Sequence, residues 1–244
     1  MKLINKTVLV TGGGTGIGLT IAQAISKRGN NVIICGRRED KLREAKSMDP
    51  LIEYFVCDLR NPEEIQKLYE LTVKKFPGIS ILINNAGIQR QRNFNYKESL
   101  DDLASEIDIN FSSPVLLSSL FIQHFKSIDE AAIINVTSGL AFAPLAFLPL
   151  YCSTKAAMHS FTISLRHQLK NTGIKVFELV PPTVDTELDQ GERAKRGQTD
   201  RGIPPSIVAD DLIRGVEADE FEILVGAAKN LRVAGEKSFP NMNR

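Results

Sequence analysis

Tyr151 and Lys155 stand four residues apart, and Ser138 precedes the tyrosine by thirteen. Four residues is about one helical turn, so the phenol and the ammonium would share a helix face. A cation fixed beside a phenol stabilises the phenolate and lowers the proton affinity of the group. With a hydroxyl from Ser138, the cluster can hold a carbonyl oxygen and exchange a proton with it. The chain also opens with Thr11-Gly-Gly-Gly-Thr-Gly-Ile-Gly18, a run able to hold a dinucleotide. Together these residues point to hydride transfer to or from a carbonyl carbon. Taken singly they say less: a Tyr and a Lys on one helix are often surface residues, and a Ser at a strand end is often a turn residue.

Only a fold can bring groups so distant in sequence together. Short β-rich runs alternate with longer amphipathic ones along the 244 residues. The pattern predicts strands near 7–11, 31–35, 53–57, 80–84, 131–137, 174–180 and 222–225. Helices are expected near 16–28, 39–46, 62–76, 99–126, 151–171 and 205–219. Pro62 followed by Glu63 and Glu64 is a helix start, and Asn171-Thr-Gly173 a helix stop. Strand–helix alternation implies a parallel sheet covered on both faces. The fold class expected is α/β, a single doubly wound Rossmann domain with a seven-stranded, mainly parallel sheet. No repeat or linker divides the chain, so residues 1–244 read as one dinucleotide-binding catalytic domain. Residues 187–204 are charged, carry Gly191, Gly197 and Gly202, and read as a mobile lid over the substrate. The polar end, from Lys229 to Arg244, is expected to be only partly ordered.

The glycine run falls at the first strand–helix junction. There a helix N-terminus offers free N–H groups and its dipole to a pyrophosphate; the alternative is a flexible β–α turn. An acid at the tip of the second strand would bind the ribose hydroxyls of NAD. Here Val32-Ile-Ile-Cys35 runs instead into Gly36-Arg37-Arg38. Guanidinium groups bind two phosphate oxygens at once, so NADP is favoured and NAD remains possible. The arginines can also simply solvate a loop. Asp58 can accept from an adenine amino group or serve a turn.

The ordered set Thr11-Gly-x-x-x-Gly-x-Gly18, Asp58, Asn84-Asn-Ala-Gly87, Asn110, Ser138 and Tyr151-x-x-x-Lys155 resembles the short-chain dehydrogenase/reductase family, in its compact single-domain branch. The likeness covers nearly the whole chain and is strongest to the DltE-type oxidoreductases of Gram-positive bacteria. It implies a catalytic set of Asn110, Ser138, Tyr151 and Lys155. Tyr151 would exchange the proton, Ser138 polarise the carbonyl, Lys155 bind the nicotinamide ribose, and Asn110 hold a water linking Lys155 to solvent. It implies cofactor contacts from Gly12, Gly14, Thr15, Gly16, Ile17 and Gly18, then Arg37, Arg38, Asp58 and Leu59. Asn85, Ala86 and Gly87 follow, with Tyr151, Lys155, Pro181, Val184 and Thr186. One departure is Pro182, where the family commonly has Gly; it alters the backbone of the nicotinamide pocket.

The remaining sequence narrows the function classes. Thirty basic residues against 29 acidic ones leave no net field for nucleic acid or an anionic membrane. The most apolar stretch, Ala141 to Leu150, holds Pro144 and Pro149 and is too short to span a bilayer. Cys35, Cys57 and Cys152 show no metal-ligand spacing, so no metal is expected, and a reduced cytoplasmic setting is the simple reading. The expected partner is a small carbonyl or alcohol substrate. Gly139, Leu140, Phe142 and Leu145 can form an apolar wall beside Ser138, and can equally be core or a subunit interface. Arg193, Lys195, Arg196 and Arg201 meet an acidic substrate or, interleaved with acids, solvate the lid. The long helices at 99–126 and 151–171 carry apolar residues on more than one face, and the family resemblance implies a homodimer or homotetramer. The rival reading is a non-catalytic NAD(P)-binding regulator or redox sensor, which would need binding but not the full catalytic set.

Overall fold

The structure, a computed structural model, describes residues 1–188, 197 and 200–243. Seven strands form one sheet: β1 (Thr7–Thr11), β2 (Asn31–Gly36), β3 (Ile52–Val56), β4 (Ile79–Asn84), β5 (Ala131–Val136), β6 (Ile174–Val180) and β7 (Glu222–Leu224). Their order is β3-β2-β1-β4-β5-β6-β7. All six pairings are parallel, where the sequence predicted a mainly parallel sheet. The chain winds outward from β1 to β3, then returns to β4 and winds the other way. The strand ends therefore part between β1 and β4, the place where such sheets bind ligands.

Both faces are covered, which is why β4 and β5 are buried at every position. On one face Val8 and Val10 of β1 pack with α1 (Gly16–Ser26), α2 (Glu39–Met48) and α7 (Pro205–Glu217). On the other, Leu9 packs with α3 (Pro62–Lys75), α5 (Ser113–Phe125) and α6 (Pro149–Gln168). Phe121 of α5 is fully buried and meets Tyr69 of α3 edge-on at 5.2 Å. Its truncation to Ala would cost about 3–5 kcal/mol. The expected helix start at Pro62 is present, with the Asn61 side chain accepting from the N–H of Glu63.

Two expectations need correction. The helix predicted over 99–126 is two helices, α4 (Leu100–Ile107) and α5, joined by a π-helical turn at Asp108–Ser112. Pro114 is the cause that the sequence offers: it has no N–H for the carbonyl four residues earlier, and the wider turn accommodates the gap. The end of the chain is also more ordered than its polarity suggests. Residues Ala228–Ala234 form α8, followed by a 3₁₀ turn at Gly235–Ser238 and a short helix at Phe239–Met242. The Asn243 side chain accepts from the N–H of Ala146 and donates to the carbonyl of Pro144.

The expected lid lies mostly outside the described residues, since 189–196, 198 and 199 fall there, Gly191, Arg193, Lys195 and Arg196 among them. The chain just before it is tied to its last residues: Val184 bridges Ile203, and the N–H of Ile203 donates to the carbonyl of Thr183 at 3.1 Å.

Candidate active site

A cavity of about 1110 Å³ runs along the carboxyl ends of the strands across the β1/β4 switch point. Its floor is the glycine turn. Gly12 and Gly16 hold φ of +65° and +57°, which a side chain would strain. A Cβ on Gly18 would stand 2.4 Å from the carbonyl oxygen of Gly12. Thr11 braces the turn from below: its hydroxyl accepts from the N–H groups of Asn85 and Ala86, both at 3.0 Å. The α1 N-terminus beyond Thr15 has no side-chain cap and no acid in its first turn. Its free N–H groups and dipole therefore suit an anion. The cavity and this uncapped turn fit a dinucleotide.

The basic residues sit at the far end of the same cavity. Arg38 donates to the Thr15 hydroxyl at 2.9 Å and to Glu187 at 3.2 Å. Arg37 also lines the cavity and makes no ion pair among the described residues. Lys41, in the first turn of α2, joins them and was not foreseen. Its only sequence signal is nearness, a third basic residue close after Arg37 and Arg38. The Asp58 carboxylate pairs with Arg60, a contact that holds it below the usual carboxylate range. It thus serves a local turn, and it also lines the cavity beside Leu59.

Toward the other end stand Ser138, Tyr151 and Lys155, all three on the cavity wall and all buried. Ser138, two residues beyond β5, is extended and precedes the 3₁₀ turn at Gly139–Ala141, and its hydroxyl oxygen accepts from the N–H of Leu140 at 3.1 Å. Tyr151 and Lys155 lie one turn apart on α6, with the ammonium 5.7 Å from the ring centre. Lys155 donates to the carbonyl of Val136 at 2.9 Å. Burial pushes its pKa down from 10.5 to about 8. An ammonium has three donors, and only this one is used among the described residues. Gly87 opens the space beside it, since a Cβ there would lie 3.6 Å from the nitrogen. Val136 itself carried no signal in the sequence, because the group used is its backbone carbonyl.

Asn110 is set one layer back and does not reach the cavity. Inside the π turn its side chain accepts from the N–H of Ile88 and donates to the carbonyl of Ile88, each at 2.8 Å. It also donates to the Thr154 hydroxyl at 3.1 Å. Pro181, Val184 and Thr186 border the cavity over the glycine turn, with Thr186 3.3 Å from where a Gly16 Cβ would be. Gly139, Leu140 and Leu145 line the Ser138 end as expected, joined by Phe147, Leu148, Leu231 and Met242, whereas Phe142 does not line the cavity and packs against His159 instead. Leu231 and Met242 were missed because they belong to the polar C-terminal stretch. A Cβ on Gly139 would come within 2.6 Å of Leu231, so that glycine is what lets α8 dock.

A parallel sheet with its cavity at the switch point, and a Ser/Tyr/Lys cluster at one end of it, defines a nucleotide-dependent oxidoreductase architecture. The sequence profile of the short chain dehydrogenase family matches residues 6–197. The uncharacterized oxidoreductase DltE of Bacillus subtilis strain 168 is 44% identical over 245 residues, covering 99% of this chain and 96% of that protein. In three dimensions the chain is similar to a short chain dehydrogenase/reductase from Burkholderia phymatum in complex with NAD. The TM-score is 0.87 at 19% identity, covering all of this chain and 97% of the other. It is similar also to one from Burkholderia cenocepacia J2315 in complex with NADP, with TM-score 0.83, 24% identity and coverage of 96% and 94%. The chain belongs to the short-chain dehydrogenase/reductase family, oxidoreductases that move hydride with NAD or NADP and act on small molecules. No helix among the described residues is long and apolar enough to cross a membrane.

Proposed function

We propose that residues 1–244 form one catalytic domain that interconverts a carbonyl and its alcohol with NADP, with Tyr151 as general acid and base. The observation that carries this reading is the buried Lys155 ammonium beside the Tyr151 ring, with spare donors facing the cavity. A nicotinamide dinucleotide in the cavity would supply or accept the hydride. In reduction, Ser138 and Tyr151 donate hydrogen bonds to the carbonyl oxygen and so stabilise the charge that develops there. Tyr151 then passes its proton to the alkoxide oxygen. Lys155 holds the ribose hydroxyls through its remaining donors, and its charge favours the phenolate that Tyr151 leaves. Asn110 pins the strand-end loop at Ile88 and, through a water, would link Lys155 to bulk solvent for proton resupply.

NADP is the proposed cofactor because Gly36 stands where an acid would contact ribose, and Arg37 has no ion-pair partner among the described residues. The apolar wall of Leu140, Leu145, Phe147 and Leu231 suits an uncharged substrate body. Ile107, Leu116 and Ile163 are apolar and exposed on three neighbouring helices, which supports a homodimer or homotetramer through this face. The test is turnover of NADPH and NADH against a panel of ketones and aldehydes. No turnover with any of them, alongside tight cofactor binding, would favour a binding-only protein.

A further inference from the structure

We propose that Thr137, Glu178 and His159 form a positioning chain, centred on a buried carboxylate, that fixes Ser138 just beyond β5; the purpose assigned to it rests on the catalytic role proposed for Ser138. Glu178 is wholly buried on β6, on the face that also carries Ile174 and Val176 into the core beneath α6. A carboxylate in such a layer is strongly unfavourable unless it is paired and hydrogen-bonded. Both needs are met locally. The Thr137 hydroxyl donates to one carboxylate oxygen at 2.7 Å, and His159 Nδ1 lies 2.8 Å from the other.

The partners are what give the chain its meaning. Thr137 is the residue between Val136, whose carbonyl holds Lys155, and Ser138. Its own N–H donates to the carbonyl of Leu179 at 2.9 Å, so backbone and side chain are both tied to β6. His159 follows Lys155 by four residues and Tyr151 by eight, on the same stripe of α6. The three-residue chain therefore clamps the two elements that carry the proposed catalytic groups to one another, directly behind the cavity. It is steadied from outside as well. The His159 ring meets Phe142 edge-on at 4.7 Å, Arg232 of α8 lies 4.7 Å over Phe142, and Arg232 donates to Glu222 at 2.9 Å. A buried polar cluster contributes little to stability compared with apolar packing. A positioning role accounts for a carboxylate where Leu or Met would fill the space.

The test uses Thr137→Val, which removes the donated hydrogen bond and keeps the shape, and Thr137→Ser, which keeps the bond. Glu178→Gln retains an acceptor for Thr137; Glu178→Leu does not. The first readout needs no ligand: amide hydrogen exchange across residues 137–141. Thr137→Val and Glu178→Leu should speed exchange there by roughly 5–20-fold, the worth of a net hydrogen bond, with Thr137→Ser and Glu178→Gln near wild type. Unchanged exchange in this segment, or equal acceleration throughout the protein, overturns the proposal. The second readout is kcat for reduction of a small α-diketone, with and without Ser138→Ala. Thr137→Val should lower kcat by roughly 5–20-fold while leaving cofactor Kd unchanged. That loss should disappear when Ser138 is already Ala, because its target is gone. An equal loss in both backgrounds overturns the chain's action through Ser138. If Ser138→Ala alone leaves kcat intact, the proposed role of Ser138 fails, and the exchange result still decides whether the chain fixes this segment.

Discussion

The Lys155 ammonium lies 5.7 Å from the centre of the Tyr151 ring while it donates to the carbonyl of Val136. The strand thus sets the height of the lysine, and the helix sets its distance from the phenol. One cation can then serve both a sugar hydroxyl and the proton of Tyr151, because neither contact is needed to hold the lysine in place.

Tyr151→Phe tests the proton donor. The side chain is buried at 6% exposure and loses only its hydroxyl, so the fold and cofactor binding should persist. We expect kcat to fall by about 10²–10⁴-fold, the usual worth of a positioned general acid or base. A folded variant that turns over at near the wild-type rate would remove Tyr151 from the reaction.

Lys155 makes stability depend on pH in a defined direction. Its folded pKa is depressed to about 8 from 10.5, so between those values the unfolded chain binds more protons than the native one. Stability therefore rises with pH across that window. Below pH 8 the charged, buried group costs about 3 kcal/mol, a penalty relieved progressively toward pH 10.5. Denaturation of the cofactor-free protein should show wild type gaining on Lys155→Met over that window. A gap between the two that stays constant from pH 7 to 10.5 would contradict the burial argument.

Assembly has its own test. Ile107, Leu116 and Ile163, on α4, α5 and α6, are 39–47% exposed and are the apolar positions the proposed assembly would cover. We expect light scattering to return a multiple of 27.0 kDa at micromolar concentration. Leu116→Asp or Ile163→Asp should shift it toward the single-chain mass. A 27.0 kDa particle for the unaltered protein would end the proposal.

What the sequence reveals depends on whether a side chain or a backbone group does the work. Ser138, Tyr151 and Lys155, which share one cavity wall, stand out in the sequence because they are polar side chains at a helical and strand-end spacing. The Val136 carbonyl that holds Lys155 has no such mark. The sheet is legible because buried parallel strands read as apolar runs, as in Ile81-Leu-Ile83. The π turn around Asn110 is not, since the apolar helical pattern runs on through Pro114 and hides the break there. Glu178 carries no mark either, since a lone acid between Phe177 and Leu179 does not announce its burial. Its partner His159 is near in space but nineteen residues away along the chain. Leu231 and Met242 escape because one apolar residue per turn of a polar tail does not announce a docked helix.

Cofactor choice is the most direct test of the basic end of the cavity. Arg38 is already held by Thr15 and Glu187, although an exposed pair of this kind is worth only about 0–1 kcal/mol. Arg37 has no such ion pair among the described residues and is the better candidate to meet a 2′-phosphate. A charge-assisted hydrogen bond contributes about 1.5–3 kcal/mol, so Arg37→Ala should lower kcat/KM for NADPH by roughly 10–100-fold and leave NADH nearly unchanged. Gly36→Asp should do more, because its carboxylate would repel the phosphate and accept from the ribose hydroxyls of NAD. The site can take it: a Cβ on Gly36 would meet only Leu42, at 3.8 Å. The comparison is kcat/KM for both cofactors in wild type, Arg37→Ala and Gly36→Asp. A wild type that already prefers NADH, or an Arg37→Ala variant that loses both cofactors equally, would show that the arginines do not read the phosphate.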